Sequence, residues 1–124
     1  MKINIKATGI ELTPAITSYV EKKISALEKY VGNTADIVAQ VEVGKSTQHH
    51  KHGDVFRAEV HVTGAGLDLY AVSDQPDLYA AIDLVKDEVV RIALHLKGKH
   101  QTLARRGAQK VKNILKGFNI FKRR

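Results

Sequence analysis

Hydrophobic and polar residues alternate along four segments of the chain, and this pattern predicts four β-strands. A period of two places every second side chain on one face of a sheet, so each strand is expected to bury one face and expose the other. The predicted strands lie near residues 2–7, 37–43, 56–62 and 67–71. The polar stretch at 44–54 is expected to be a long hairpin loop, and 63–66 a tight turn.

Two further segments repeat their apolar residues every three or four positions, which predicts two amphipathic helices. The first is predicted over about 14–31, because Thr13 is a good N-cap, Pro14 suits the first turn and Gly32 follows the last apolar residue. Its apolar stripe consists of Ile16, Val20, Ile24, Leu27 and Val31. The second is predicted over about 76–97, closed by Gly98. Its stripe consists of Leu78, Ile82, Val85, Val89, Ile92 and Leu96.

The predicted order of elements, β-α-β-β-β-α, belongs to the α+β class. We expect a four-stranded sheet with both helices packed on one face, since each element has one apolar side to bury. A right-handed crossover through the first helix would place the second strand parallel to the first. One domain is the default for 124 residues, and we place it at 1–100. Residues 101–124 are expected to be a basic C-terminal extension that is flexible, or helical only on a partner.

Basic and acidic residues are distributed unevenly along the chain. Residues 1–88 hold 9 bases and all 13 acids, a net of −4, whereas residues 89–124 hold 11 bases and no acid. An asymmetry of this size predicts a polyanionic partner, either nucleic acid or, less often, an anionic membrane. The apolar residues at 118–121 keep the membrane alternative open. The chain has no Cys and is predicted to begin with a strand rather than a secretory signal, which fits a cytoplasmic protein.

No combination of residues is typical of an enzyme active site, so we expect no catalytic residue and no cofactor. The sequence lacks a nucleophile elbow, a phosphate-binding glycine loop and the two-histidine helix motif of zinc proteases. Asp74 and Asp77 are predicted to cap the second helix. Asp87 is predicted to pair with Arg91 one turn later, as ordinary surface electrostatics.

Three histidines form the one metal-like cluster in the sequence: His49, His50 and His52. Imidazoles can hold Zn²⁺ or Cu²⁺, but such a site needs a fourth ligand and supporting groups, and the nearest acid is Asp54. We therefore expect a polar loop and no metal site. A metal-dependent nuclease that uses this loop is the enzymatic alternative.

Basic residues on the helices and the tail are the candidate nucleic-acid contacts. No helix-turn-helix or zinc-finger pattern is present, so no DNA partner is expected. Basic helices on one side of a sheet suit RNA, recognised through its phosphates and shape. The four tyrosines are scattered along the sequence, and no aromatic stacking platform is predicted. The candidates are Lys22, Lys23, Lys29, Lys86, Arg91, Lys97, Lys99, Arg105 and Arg106.

The start of the second predicted helix carries the segment Asp77-Leu-Tyr-Ala-Ala-Ile-Asp83. It resembles the D-[LM]-Y-x-A-I-[DN] signature of the ribosome hibernation-promoting factor / ribosome-associated inhibitor family, in its short form. Glu11-Leu-Thr-Pro-Ala-Ile16, Leu27-Glu-Lys-Tyr30 and the His61-Val62 strand with its glycine turn are similar too. The resemblance covers about 1–100 and implies the same β-α-β-β-β-α fold.

The resemblance implies a non-enzymatic factor of stressed or stationary cells. Such a factor binds rRNA of the small ribosomal subunit in the channel between head and body, where it occupies the space of mRNA and tRNA. Lys23, Arg91, Lys97 and Lys99 are implied as rRNA contacts. We expect the free protein to be a monomer with no membrane partner. A general duplex-RNA-binding or RNA chaperone module, supported by charge alone, is the alternative.

The sequence departs from the family pattern at Ala26, Glu88 and His95, where relatives often carry bases. Lys22 and Lys86 are the expected substitutes near the first two. Residues 101–124 resemble neither the acidic tail of some short members nor the large domain that joins two ribosomes in long members. We therefore expect the extension to lie along rRNA, with no pairing of ribosomes through such a domain.

Overall fold

The structure is a computed structural model that describes residues 1–45 and 53–98. Its strands are β1 (Lys2–Thr8), β2 (Val38–Lys45), β3 (Phe56–Gly64) and β4 (Leu67–Gln75). They form one sheet in the order β1-β2-β3-β4, in which β1 runs parallel to β2 and the other two pairs are antiparallel. The α+β class, the four strands and the parallel first pair are confirmed.

The first predicted helix is divided into α1 (Pro14–Ser25) and α2 (Glu28–Val31). The prediction of one continuous helix over 14–31 is wrong. The N–H of Leu27 donates to the carbonyl of Ile24 at 2.9 Å, three residues back rather than four, and this tighter turn interrupts the helix. Leu27 is fully buried at the interruption, so it still contributes to the core.

The starts of the two long helices are fixed by capping side chains. The Thr13 hydroxyl accepts a hydrogen bond from the N–H of Ile16 at 3.2 Å, as predicted. A third helix, α3, covers residues 78–98, and the Asp77 carboxylate accepts a hydrogen bond from the N–H of Ala80 at 3.0 Å. The capping role of Asp77 is thus confirmed.

The end of β4 lies further along the chain than predicted. Asp74 belongs to β4, so its predicted role as a helix cap is wrong. It lies opposite Arg57 in the strand register, with its carboxylate 4.0 Å from a guanidinium nitrogen. Because β4 extends to Gln75, α3 begins at residue 78 rather than near 76. Gly98, the predicted end, is itself helical.

Helices α1 and α3 pack on the same face of the sheet. Val20 and Ile24 of α1 and Ile82 and Val85 of α3 are buried. The two helices are neighbours, because the Tyr19 hydroxyl donates a hydrogen bond to Asp83 at 2.6 Å. The predicted packing is therefore confirmed. The sheet face beneath them is apolar and consists of Ala39, Val41, Val43, Ala58, Val60, Val62, Leu69 and Ala71.

The loop before β2 holds the turn between β3 and β4. Ala65 and Gly66 both have positive φ, 53° and 79°, as in a two-residue hairpin turn. The Asp36 carboxylate accepts hydrogen bonds from the Thr34 hydroxyl and from the N–H of Ala65. These two bonds hold the pKa of the Asp36 carboxyl below its ordinary value. The predicted tight turn is confirmed, but it is confined to residues 65–66, because Thr63 and Gly64 belong to β3.

Gly64 permits this close approach, and we expect Gly64→Ala to be destabilising. Its φ is +107°, and a Cβ there would lie 2.0 Å from the carbonyl oxygen of Asp36. We expect the free energy of unfolding to fall by about 2 kcal/mol, measured by urea denaturation. Gly66→Ala is the control, because φ is also positive there but a Cβ would meet nothing within 4 Å. It should cost about 1 kcal/mol, and equal losses would contradict the steric explanation.

The chain divides into two units, Met1–Ala93 and Leu94–Arg124. The sheet, α1 and α2 belong to the first unit, and residues 94–98 are the described part of the second. The loop histidines His49, His50 and His52 lie outside the described residues, as do Lys99, Arg105 and Arg106. Predictions for them, and the predicted boundary at residue 100, stay predictions. Within 1–45 and 53–98, no helix is long and apolar enough to cross a membrane.

Candidate nucleic-acid interface

Five of the predicted contact residues lie on the helices of the first unit. Their positions fall between those of the apolar stripes, so their side chains lie toward solvent rather than the sheet. Three are exposed and two, Lys23 and Lys86, are partly buried. The five are Lys22, Lys23, Lys29, Lys86 and Arg91. Lys97 is exposed on α3 within the second unit.

Three of these bases have a carboxylate beside them. The Nζ of Lys23 lies 3.4 Å from Asp83 across α1 and α3, and the Nζ of Lys86 lies 3.9 Å from Asp87. Arg91 donates to Glu88 through both its Nε, at 3.0 Å, and its Nη2. Exposed pairs of this kind contribute little to stability. Their effect here is to reduce the positive potential at the helix surface.

Arg91 pairs with a different acid from the predicted one. The prediction that it pairs with Asp87 is wrong, because Glu88, one residue closer, reaches both guanidinium nitrogens in a fork. The fork lowers the pKa of the Glu88 carboxyl and raises that of the Arg91 guanidinium. Glu88 is also a position where the sequence departs from the resembled family. An acid therefore stands directly beside one of the implied rRNA contacts.

Charge on these helices is balanced rather than basic. Up to residue 93, the helices α1, α2 and α3 carry five bases and an equal number of acids. The acids are Glu21, Glu28, Asp83, Asp87 and Glu88. Residues 1–93 hold 10 bases and 13 acids, a net of −3, whereas residues 94–124 hold 10 bases and no acid. The helices of the first unit therefore carry no net charge. The positive excess belongs to the second unit.

Two tyrosines that are distant in sequence meet at the junction of α1 and α3. The rings of Tyr19 and Tyr79 are perpendicular, with centroids 4.8 Å apart. The Nζ of Lys23 lies 5.5 Å from the centroid of Tyr19, and the Tyr19 hydroxyl donates to Asp83 at 2.6 Å. We call Tyr19, Tyr79, Lys23 and Asp83 the tyrosine cluster. The tyrosines are scattered along the sequence, but the fold brings these two rings into contact.

A local sequence signal for the tyrosine cluster exists. Tyr19 directly precedes Val20, and Tyr79 directly follows Leu78, so each ring borders a buried residue of an apolar stripe. Side chains at the border of two packed stripes meet where two helices are neighbours. The sequence pattern shows which residues border the contact between α1 and α3. It does not show which of them touch, because that depends on how each helix is rotated.

Alkaline titration should reveal the hydrogen bond between Tyr19 and Asp83. That bond, with burial and the Asp83 charge, raises the pKa of Tyr19 to about 12. We expect one tyrosine to ionise well after an ordinary one, whose pKa is about 10, when tyrosinate absorbance is followed. The contribution of this hydrogen bond to the stability of the folded protein is present below pH 10 and is lost as the pH rises toward 12. Asp83→Asn should return this ionisation toward the ordinary value, and an unchanged titration would exclude the bond.

The described residues do not form a metal-ligand cluster. No three of their His, Asp and Glu side chains are grouped as metal ligands. His61 and Asp68 contact each other on the open face of the sheet, at an Nε2–Oδ1 distance of 2.5 Å. A single exposed pair of this kind is an ordinary surface interaction.

Comparison with known proteins identifies the family. Residues 3–101 match the family model described as Sigma 54 modulation protein / S30EA ribosomal protein. The chain belongs to this family. The S30EA match covers the sheet and the helices described above, and it confirms the resemblance drawn from the segments at 11–16 and 77–83.

Curated relatives of this S30EA chain carry hibernation names. A ribosome hibernation promoting factor of Azotobacter vinelandii is 33% identical over 99 residues, covering 80% of this chain and 85% of the relative. One from Klebsiella oxytoca is 32% identical, covering 73% of this chain and 87% of the relative. The ribosome hibernation promotion factor of Bacillus subtilis is 35% identical over 73% of this chain, but the match spans only 46% of that longer protein.

Solved structures share the S30EA fold. The N-terminal domain of Protein Y from Thermus thermophilus has a TM-score of 0.64 and 29% identity, covering 77% of this chain and 99% of that domain. A ribosomal subunit interface protein from Coxiella burnetii has a TM-score of 0.63 at 17% identity, covering 79% and 99% respectively, which shows a common fold.

Proposed function

We propose that this protein is a ribosome hibernation factor. It binds rRNA of the small ribosomal subunit in the decoding channel and sterically blocks mRNA and tRNA. The observation that carries the proposal is the family match over residues 3–101, with relatives named ribosome hibernation promoting factor that are covered almost entirely. The segment 94–124, which holds 10 bases and no acid, supports the proposal on electrostatic grounds.

The proposed mechanism divides the work between two parts of the chain. The domain at 1–100 fills the channel as a preformed body, and the extension at 101–124 lies along the rRNA backbone. No covalent bond is made or broken, so inhibition is competitive with mRNA and tRNA. The protein acts in the cytoplasm as a monomer. Its proposed rRNA contacts are Lys22, Lys23, Lys29, Lys86, Arg91, Lys97, Lys99, Arg105 and Arg106.

Pairing with carboxylates changes what is expected of the individual bases. Lys23 and Arg91 must exchange Asp83 and Glu88 for phosphate oxygens, or hold both at once. Lys22 and Lys29 have no carboxylate within 4.0 Å among the described residues, so they can engage phosphate without that exchange. The first unit therefore contributes mainly a shape that fits the channel, and the second unit contributes most of the electrostatic attraction to rRNA phosphates.

Small-subunit binding measured by co-sedimentation over a range of salt concentrations tests the proposal. Affinity should fall with a log–log slope of about −0.7 for each phosphate neutralised, as for single-stranded nucleic acid. Excess duplex RNA should fail to displace the protein from subunits, because the fit is to a shaped channel. Displacement by duplex RNA would favour the general RNA-binding module, and absence of subunit binding would refute the proposal.

A further inference from the structure

The tyrosine cluster contains two aromatic rings and a carboxylate, which phosphate binding alone does not require. Tyr79 is 37% exposed although it is a large aromatic residue in contact with another ring. The side chain of Asp83 is 43% exposed, and its Oδ1 receives both the Tyr19 hydroxyl and the Lys23 ammonium. The result is an open aromatic ring beside an accessible carboxylate that is already held in place.

The Asp83 carboxylate argues against a phosphate as the ligand of Asp83 and Tyr79 themselves. Asp83 places a negative charge between α1 and α3, where it would repel a phosphate and where it partly neutralises Lys23. A neutral ligand with N–H donors has the opposite preference. It can donate to the carboxylate while its flat face lies against the exposed ring.

Unpaired nucleobases have this chemistry. Single-stranded RNA is recognised by stacking bases on aromatic side chains and by hydrogen bonds to their Watson–Crick edges. Guanine fits a carboxylate better than the other bases, because its N1–H and N2–H donate side by side on that edge. Uracil offers one N–H between two carbonyl oxygens, which a carboxylate repels.

We propose that Tyr79 and Asp83 form a binding site for one unpaired guanine of rRNA. Tyr79 stacks on the base and Asp83 accepts its Watson–Crick N–H groups. Tyr19 is a positioning residue, since its hydroxyl fixes the Asp83 carboxylate and its ring supports Tyr79. The proposal rests on the proposed function for its ligand. It adds base recognition to a contact that charge and shape would otherwise explain.

Substitutions of Tyr79 and of the control residue Tyr70 separate the contribution of base stacking to affinity from that of electrostatic attraction. Tyr79→Leu should lower affinity for small subunits about tenfold without changing the salt slope, because a stacked base releases no counterions. Tyr79→Phe keeps the ring and should bind as the wild type does. Tyr70→Leu is the matched control, because Tyr70 is 52% exposed but lies on the open face of the sheet. Thermal unfolding of each variant checks that it is folded.

Asp83→Asn distinguishes the proposal by the sign of its effect. A purely electrostatic surface predicts tighter binding, because the substitution removes a negative charge and frees Lys23. The guanine site predicts weaker binding, because an amide accepts with only one oxygen and places an N–H where a second acceptor is needed. Tighter binding by Asp83→Asn would therefore overturn the base site.

Chemical probing of the guanine edge gives the decisive result. Kethoxal modifies N1 and N2 of unpaired guanines, so wild-type protein on small subunits should protect one guanine. Tyr79→Leu and Asp83→Asn should lose that protection at saturating protein, and Tyr70→Leu should keep it. Protection that is absent, or that is unchanged in both variants, with normal subunit binding overturns the guanine site and leaves the proposed function standing. Failure of the wild type to bind subunits overturns both.

Discussion

Removal of residues 101–124 should lower affinity for the small subunit by about 10³-fold near 0.1 M salt. The segment carries eight bases and no acid. If half of them neutralise a phosphate, counterion release accounts for about 0.7 decade each and the salt slope falls by about 3. The first unit ends before the truncation point, at Ala93, so the sheet and its core are retained. Co-sedimentation at several salt concentrations measures both the affinity and the slope.

A full-length variant with glutamine at the eight basic positions of 101–124 is the matched control for this truncation. It keeps the length of the chain and removes only its charge. We expect it to bind as weakly as the truncated chain and with the same reduced slope. Wild-type affinity in either variant would show that the extension is passive and that residues 1–100 bind alone.

Reversing charge at Lys23 and Arg91 together should weaken small-subunit binding by about 100-fold. Two lost phosphate contacts account for about 1.4 decades, and repulsion from the new carboxylates adds to the loss. The fold should survive, because both side chains form pairs at the protein surface, where the loss of a pair costs about 1 kcal/mol or less. Circular dichroism and thermal unfolding check this before binding is measured.

The control for Lys23→Glu with Arg91→Glu is Lys2→Glu with Lys6→Glu. These lysines are exposed on β1, on the sheet face opposite the helices. The net charge changes by the same amount, so a general loss of attraction would affect both variants alike. We expect the control to lose less than about tenfold. Equal losses would show that the helices do not form the contact surface.

Periodicity alone was sufficient to predict the sheet and its pairing with the helices. Each strand has one apolar face and each long helix one apolar stripe, so a single arrangement buries them all. The break between α1 and α2 was not predictable in the same way. Leu27 fits helical spacing, and only the core decides that its N–H bonds to Ile24 rather than to Lys23.

Side-chain partners at the surface were the weaker part of the sequence analysis. Both Asp87 and Glu88 lie within reach of Arg91 along the helix, and the longer glutamate forms the fork. The meeting of Tyr19 with Tyr79 depends on helix rotation, which periodicity leaves open. The uneven distribution of charge along the chain predicts the basic C-terminal part. On α1 and α3 up to residue 93, four bases and four acids balance.

Competition with mRNA and tRNA on isolated small subunits tests the central claim most directly. Subunits carrying labelled mRNA and initiator tRNA are mixed with increasing protein and then pelleted. We predict that the protein enters the pellet as both labelled RNAs leave it, with one protein bound per subunit. Pellets that retain all three components together would contradict steric occlusion, whatever the affinity of the protein for the subunit.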